Sequence, residues 1–161
     1  MVELGSIANE LEAYTMPGNG MDPTILKGEG FYVNVSFYKN SPLKRGDVVM
    51  FRYPANPKLE MVKRIVGLGG DLIKINDEKL LINNKFVAEP YLGRERAPSD
   101  APVFNYGPIK VPKGMVFVLG DNRSKSLDSR TWGFLPTDNI LGKVISIYKS
   151  DQENRIGKKI R

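Results

Sequence analysis

Short runs of β-branched and aromatic residues, each bounded by residues that favour turns, recur along most of this sequence. The 161 residues include 16 glycines and 11 prolines, and long stretches with helical periodicity are scarce. The runs with the length and composition of strands are residues 31–37, 47–53, 60–66, 71–75, 79–83, 115–119 and 141–148. This pattern predicts an all-β or mostly β domain of many short strands.

The rest of the sequence indicates turns and loops more than helices. Residues 73–82 contain two strand-like runs around a polar turn, which predicts a β-hairpin. Weak helical character is confined to residues 2–11 and 136–140. Residues 88–103 hold several prolines and charges without periodicity, and they are therefore predicted to form a long surface excursion.

Two residue types are absent. Without histidine, the chain cannot build a Ser-His-Asp or Cys-His centre or a histidine-ligated metal site. Without cysteine, it cannot form disulfides, thiolate nucleophiles, zinc–cysteine sites or iron–sulfur clusters. Any chemistry must therefore come from Ser, Thr, Lys, Asp, Glu or Tyr.

The chain is basic, with 24 Lys and Arg against 18 Asp and Glu, a net charge of +6 and a pI of about 9.5. This balance suits an anionic membrane surface or nucleic acid, and it is equally typical of a solvated basic surface. The sequence contains no apolar run of about 18 residues, the length that a membrane-spanning helix needs. Its first residues also lack the basic and apolar blocks of a signal peptide.

Two adjacent cations, Lys63 and Arg64, lie within the apolar run of residues 61–66. Because successive strand residues point to opposite faces, one of the two side chains is expected to point toward the interior. An interior lysine is costly unless it is paired or loses its proton, and a neutral lysine can serve as a general base. The alternative is an edge lysine whose ammonium group reaches solvent.

Two other segments carry a high density of polar or turn-forming residues. Residues 120–130, GDNRSKSLDSR, form either a solvated loop or a salt-bridged loop that shapes a site. Residues 16–24, MPGNGMDPT, form either a simple connection between strands or a functional loop. The turn and apolar strand of residues 45–51 are interpreted as structural.

Together, in this order and spacing, these segments resemble the characteristic segments of type I bacterial signal peptidases, which are membrane-bound Ser/Lys endopeptidases. GNGMDPTIL is similar to the nucleophile segment, RGDVVMFRYP to a structural strand, VKRIVGLGGD to the lysine segment and GDNRSKSLDSRTWGF to the most diagnostic run. The resemblance covers roughly residues 12–150. It implies one mostly β domain over residues 1–161, with a core of short antiparallel strands at about 12–70 and 107–150 and an inserted β-ribbon region at about 71–106.

The same resemblance assigns roles to individual residues. Lys63 corresponds to the general base, and Ser126 corresponds to the serine that orients it. The residues that correspond to supports of the site are Arg64, Gly120, Asp121, Asp128 and Arg130, with Gly120 letting the backbone pack against the lysine. The residues that correspond to the two edges around an extended substrate are Met16, Pro17, Gly18, Glu60, Met61 and Val62. Main-chain hydrogen bonds and shallow pockets for small side chains would hold that substrate, and no metal or cofactor is implied.

The sequence departs from the family pattern at the nucleophile. Gly20 occupies the position of the catalytic serine, and Gly18 occupies a position where a hydroxyl often completes the oxyanion hole. Gly69 replaces a proline in the lysine segment. Thr24 is no substitute nucleophile, because it lies about 10 Å or more along an extended chain from position 20. The chain as written is therefore predicted to be inactive as a Ser/Lys protease.

Two explanations of Gly20 stay open at this point. An engineered change would leave an otherwise active peptidase, and the intact residues 120–130 with Lys63 agree with this. Natural divergence is favoured by the additional glycines at positions 18 and 69. The corresponding functions are a signal peptidase that removes signal peptides from exported preproteins and a non-catalytic homologue that binds extended peptides as an assembly factor or chaperone.

The resemblance also implies where the protein acts and on what. The implied partners are signal-peptide-bearing preproteins and a membrane surface, at the outer face of the cytoplasmic membrane. We expect the sequence to begin after an anchor helix and this piece to be soluble. Nucleic acid is not an expected partner, and a DNA-binding autoprotease with Ser/Lys chemistry is disfavoured because no helix-turn-helix pattern is visible.

Overall fold

Two antiparallel sheets form the fold in the computed structural model, which describes residues 10–93 and 104–161. The strands are β1 Leu11–Thr15, β2 Gly30–Asn34, β3 Val48–Tyr53, β4 Asn56–Leu68, β5 Leu72–Asn76, β6 Lys79–Ile82, β7 Lys85–Phe86, β8 Tyr106–Lys110, β9 Met115–Leu119, β10 Leu135–Pro136 and β11 Ile140–Lys149. Two helical turns, α1 Phe37–Asn40 and α2 Ser129–Trp132, accompany them. The 3-10 turns are Pro90–Leu92, Arg123–Lys125, Thr137–Asn139 and Glu153–Arg155.

The larger sheet has seven strands in the order β1-β2-β11-β3-β4-β9-β10. Its central strand β3 is buried on both faces, which explains its continuous apolar run. Met50 of β3 packs with Met21, Phe31 and Val33 in one core, whereas Phe51 packs into a second core on the opposite face. This double burial fixes β4, the neighbour of β3, between two packed layers.

The smaller sheet has four strands in the order β7-β6-β5-β8. Its hairpin between β5 and β6 turns at Asp77 and Glu78, which both have positive φ, at 48° and 64°. Positive φ at both turn residues is the geometry that lets a two-residue hairpin follow the strand twist. The hairpin predicted for residues 73–82 is confirmed.

The mostly β prediction is confirmed, and the runs read from the sequence coincide with β2, β3, β4, β5, β6, β9 and β11. The predicted inserted region corresponds in position to the smaller sheet, whose strands run from residue 72 to residue 110. The weak helix expected at 136–140 is a 3-10 turn, Thr137–Asn139. Of the helix expected at 2–11, residues 2–9 lie outside the described residues and Leu11 begins β1.

The expected excursion of residues 88–103 is described only up to residue 93, where Pro90–Leu92 form a 3-10 turn. The last residues of the chain pack back onto the larger sheet, because Ile160 is buried in the core with Met21 and Val144. Within the two described ranges, no helix combines the length and the apolar character needed to cross a bilayer.

Candidate active site

Lys63 and Arg64 lie at the point where β4 changes its neighbours. Lys63 pairs with Val49 of β3, and the pairing of β4 with β9 begins only at Arg64. The sequence predicts one interior cation here, but both residues are buried, with 7% of Lys63 and 0% of Arg64 exposed. Both faces of β4 are covered. Residues of the loop at 16–24 lie beside Lys63 on one face, and Arg64 on the other face contacts the carbonyls of Gly46 and Arg161.

The environment of Lys63 favours the neutral amine. Burial lowers the pKa of Lys63, Asp128 and Asp121 oppose that change by attraction, and Arg130 adds to it by repulsion. The two carboxylates are themselves paired with arginines, Asp121 with Arg64 and Asp128 with Arg130. A lowered pKa is the direction of change that a lysine acting as a general base requires.

Position 20 faces the amine of Lys63. A Cβ added to Gly20 would lie 2.8 Å from Lys63 Nζ and 3.9 Å from the Cα of Ser126. The backbone N–H of Asn122 donates to the carbonyl of Gly20 at 3.0 Å, which ties the two loops together. The structure thus brings Gly20, Lys63 and Ser126 to one point, as the resemblance implied.

Gly120 is the most crowded position of the site. A Cβ there would overlap Cβ and Oγ of Ser126 and would lie 2.5 Å from the carbonyl oxygen of Gly20. Close packing of the Gly120 backbone against the lysine stays a prediction, and the three atoms nearest to an added Cβ belong to Ser126 and Gly20. The buried Ser126 hydroxyl makes no hydrogen bond of ordinary geometry in the described structure, although it helps to lower the pKa of Asp128.

Arg64 and Asp121 form a fully buried ion pair with two hydrogen bonds, Nε to Oδ1 at 2.9 Å and Nη2 to Oδ2 at 2.7 Å. The hydroxyl of Thr24 donates a further hydrogen bond to Asp121. Arg64 Nη1 donates to the carbonyls of Gly46 at 2.7 Å and Arg161 at 2.9 Å. Such a pair is tolerated in the interior because its remaining donors and acceptors are satisfied.

Asp128 and Arg130 form a second ion pair, at 2.8 Å. Asp128 also accepts from the backbone N–H of Gly120 at 3.0 Å and caps α2 through the N–H of Arg130 at 3.2 Å. Burial alone would raise the pKa of Asp128, but its hydrogen bonds and attraction to Arg130 outweigh burial and lower it. This carboxylate therefore fixes the strand-to-loop junction that carries Ser126.

Sequence reasoning missed a group of residues that encloses this network. The ring of Tyr91 lies 3.8 Å from the guanidinium of Arg64, and its hydroxyl donates to Glu89 at 2.6 Å. Glu89 pairs in turn with buried Arg123, whose Nε donates to the carbonyl of Gly120 at 2.9 Å. The residues at 89–91 carry no periodic signal, so nothing in the segment indicated that its side chains enter the site.

Another missed contact supports the loop of residues 16–24. Arg155 pairs with buried Glu29 at 2.5 Å and donates to the carbonyls of Pro23 and Thr24, both at 3.1 Å. The C-terminal segment therefore clamps the loop that carries position 20. Contacts over this sequence separation leave no local pattern that could reveal them.

A cleft of about 260 Å³ opens beside Lys63. Its lining consists of Tyr14, Thr15, Met16, Pro17, Gly18, Gly20, Met21, Phe31, Met50, Glu60, Met61, Val62 and Lys63. Among residues 10–93 and 104–161, β1 is an edge strand and forms one wall, and β4 pairs only with β3 between Glu60 and Lys63. Both walls thus present unpaired backbone groups, the arrangement by which a sheet accepts an extended peptide.

A family model described as "Signal peptidase, peptidase S26" matches residues 4–149. The chain belongs to the signal peptidase I family. It is 40% identical to signal peptidase I T of Bacillus subtilis over 136 residues, which cover 81% of this chain and 70% of that protein. It is 38% identical to signal peptidase IB of Staphylococcus aureus over 143 residues, which cover 81% of this chain and 74% of that protein.

A signal peptidase I from Enterococcus faecalis has a similar crystal structure, with a TM-score of 0.57 and 32% identity over 64% of this chain and 97% of that one. These similarities confirm the family and the mostly β, antiparallel fold that the sequence predicted. The roles of the individual residues in this chain stay predictions, which the proximity of Gly20, Lys63 and Ser126 supports.

Proposed function

We propose that this protein binds the extended cleavage region of signal-peptide-bearing preproteins and retains the lysine half of a Ser/Lys endopeptidase site without its nucleophile. The observation that carries the proposal is the 2.8 Å between Lys63 Nζ and the position of a Cβ on Gly20. A serine side chain at this position would meet its base directly. With glycine there, binding is retained and hydrolysis is lost.

The cleft supports binding of an extended peptide between β1 and β4. Backbone groups of residues 14–18 and 60–63, apart from Met16, whose N–H and carbonyl already bond to Glu29 and Gly28, are the proposed hydrogen-bonding partners on the two sides of the substrate. The walls are contributed largely by apolar side chains such as Met16, Met61 and Val62, which accept small apolar groups. Recognition then depends mainly on an extended backbone and on small side chains near the reacting carbonyl.

In a serine-containing form of this site, each group has a defined role. The serine hydroxyl at position 20 attacks the peptide carbonyl while Lys63 accepts its proton, and Lys63 later returns a proton to the leaving amine. The backbone N–H at position 20 donates to the developing oxyanion. Ser126 limits the orientations of the lysine, and Asp128 with Arg130 holds Ser126 in place.

A membrane surface is the proposed setting, on the outer face of the cytoplasmic membrane. Leu59, next to the β4 wall of the cleft, is 53% exposed, and Leu127, next to Ser126, is 51% exposed. Large apolar side chains at both places favour an apolar contact beside the cleft. The net charge of +6 adds attraction to anionic lipid headgroups.

The test compares the chain as written with Gly20→Ser on a signal-peptide substrate, with binding and cleavage measured separately. We expect both proteins to bind, and we expect cleavage by Gly20→Ser to exceed that of the parent by at least about 10³-fold, because loss of a catalytic nucleophile typically costs more than this. Adding Gly18→Ser is expected to raise cleavage further, by up to about 10²-fold, as an additional oxyanion donor.

The control is Lys63→Met in the Gly20→Ser background, which keeps the serine and removes the base. It should return cleavage to the parental level while leaving the substrate bound. Turnover by the chain as written would contradict the proposal. Cleavage by the variant with both Gly20→Ser and Lys63→Met at the level of Gly20→Ser alone would also contradict it.

A non-catalytic assembly factor or chaperone is the second candidate. The glycines at both position 18 and position 20 favour it, because neither position carries the hydroxyl that the family pattern places there as nucleophile or oxyanion donor. It predicts that Gly20→Ser and the double serine variant stay inactive while peptide binding persists. The same pair of measurements therefore separates the two functions.

A further inference from the structure

The amine of Lys63 occupies space that a side chain at position 20 would need. The 2.8 Å between Nζ and the position of a Gly20 Cβ is shorter than the contacts that real Cβ atoms make. At position 20 the cleft therefore presents a lysine nitrogen where a serine-containing site presents an oxygen. Lys63 is placed to react with a bound carbonyl itself as well as to accept a proton.

Two further features make this nitrogen available. Lys63 lines the cleft together with Gly18 and Gly20, neither of which has a side chain that would screen it. The carboxylates that attract it, Asp121 and Asp128, are engaged by Arg64 and Arg130. Burial also lowers the pKa of Lys63, so that its reactive neutral form is more abundant than that of a solvated lysine at the same pH.

We propose that Lys63 is a nucleophile for peptidyl aldehydes, extended peptides that end in an aldehyde and bind in the cleft between β1 and β4. This inference rests on the proposed function for the cleft, and it adds a reaction that a base-only role for Lys63 does not include. Lysines that are desolvated in this way are the ones that form Schiff bases with carbonyl compounds.

The reaction balances without an external oxidant or reductant. The lone pair of neutral Nζ forms a bond to the aldehyde carbon while the C=O π electrons move to oxygen. A proton passes from nitrogen to that oxygen to give a carbinolamine. Loss of one water molecule then gives an imine between Nζ and the peptide carbon.

An aldehyde suits this site better than the amide of an intact peptide. Attack on an amide would transfer the acyl group to Nζ as a second amide, and no group here would release it. The carbonyl carbon of an aldehyde is bonded to hydrogen where that of an amide is bonded to the leaving nitrogen. An aldehyde therefore requires no space for a leaving amine. The imine forms reversibly, and borohydride reagents reduce it to a stable secondary amine.

The experiment incubates the purified chain with a peptidyl aldehyde whose sequence ends in small residues, in the presence of sodium cyanoborohydride at neutral pH. Intact-mass measurement counts the adducts, and proteolytic mapping locates them. We expect labelling at Lys63 to be at least about tenfold faster than at exposed lysines such as Lys113, because binding in the cleft holds the aldehyde beside Nζ. Labelling spread over surface lysines, with no excess at Lys63, would overturn the inference.

Three variants sharpen the result. Lys63→Arg keeps a positive charge but forms no imine under these conditions, so the fast adduct should disappear. Gly20→Ser places a side chain against Nζ and should slow the reaction. Lys113→Arg, a change of the same type at an exposed position, should leave the labelling of Lys63 unchanged.

Peptide binding is measured separately, by fluorescence anisotropy with the corresponding peptide alcohol. Binding without an adduct at Lys63 would refute the nucleophile and leave the proposed function standing. Selective labelling of Lys63 by free propanal, with no binding of the peptide alcohol, would support the nucleophile and refute the proposed function.

Discussion

The site is formed by two loops that differ in how they hold their shape. Residues 120–130 are fixed by buried charged side chains, because Asp121, Arg123 and Asp128 all have arginine or carboxylate partners. Residues 16–24 are fixed mainly through the backbone. The N–H of Met16 donates to the backbone carbonyl of Glu29 at 2.8 Å, and the N–H of Thr24 donates to the backbone carbonyl of Met21 at 2.8 Å.

The glycines of the two loops show the same contrast. A Cβ on Gly120 would overlap Ser126, whereas a Cβ on Gly18 would have no neighbour within 4 Å. A glycine at position 18 therefore lies in open space, whereas a change at Gly120, Asp121 or Asp128 leaves a steric clash or an unpaired buried charge. This difference agrees with a chain that has glycine at position 20 and keeps the ion pairs around its lysine.

The largest expected effect comes from Asp121→Ala, which leaves the buried guanidinium of Arg64 without its carboxylate. We expect the free energy of unfolding in urea to fall by about 3–5 kcal/mol. Thr24→Val removes a hydrogen bond to the same carboxylate from the other loop and should cost only about 1–2 kcal/mol. Equal losses from the two changes would contradict the contrast between the loops.

Gly120→Ala tests steric crowding with a change of one methyl group. It should destabilise the protein by about 1–3 kcal/mol, because Ser126 and the carbonyl of Gly20 have to move away. Gly18→Ala adds the same methyl group in open space and should stay within about 0.5 kcal/mol of the parent. Thermal unfolding measured side by side gives both values, and a well-tolerated Gly120→Ala would remove the steric argument.

Tyr91 tests whether residues outside both loops support the lysine half. Tyr91→Leu removes the ring over Arg64 and the hydrogen bond to Glu89, and it should cost about 1–2 kcal/mol in chemical unfolding. Tyr91→Phe keeps the ring and should lose less, about 1 kcal/mol or below. If the two variants are equally stable, the ring over the guanidinium contributes nothing measurable.

The smallest effect is a pH dependence that originates at Lys63. Since burial lowers the pKa of Lys63 in the folded protein, the folded state releases this proton at a lower pH than the unfolded state does. Stability relative to Lys63→Met should therefore rise with pH from neutral to alkaline, through the range between the folded pKa and the ordinary one. Lys113→Met serves as the control for loss of one charge. Parallel stability curves for the parent and Lys63→Met would show that the folded lysine titrates normally.

The strands that the sequence predicted and those that it missed differ in their place in the sheets. The missed strands, β1, β7, β8 and β10, are the edges of the two sheets in the described structure. Interior strands carry apolar runs because they have a paired strand on each side and a packed layer over at least one face, which together exclude water. An edge strand such as β7, Lys85–Phe86, has few such constraints, so its composition does not distinguish it from a loop.

For the site, the sequence by itself determined the types of group and their order along the chain. The absence of histidine and cysteine excluded several catalytic centres, and the family resemblance of the segments at 16–24, 61–71 and 120–130 predicted a lysine-based centre without its nucleophile. These features are local, so a short segment is enough to recognise them.

Only the tertiary structure decided which groups meet. It placed Nζ of Lys63 against position 20, stacked Tyr91 on Arg64 and brought Arg155 to the loop at 16–24. It also decided that both cations of the pair are buried. These contacts join segments that are far apart in the chain, and their energies depend on burial and on partners, which exist only once the sheets have packed.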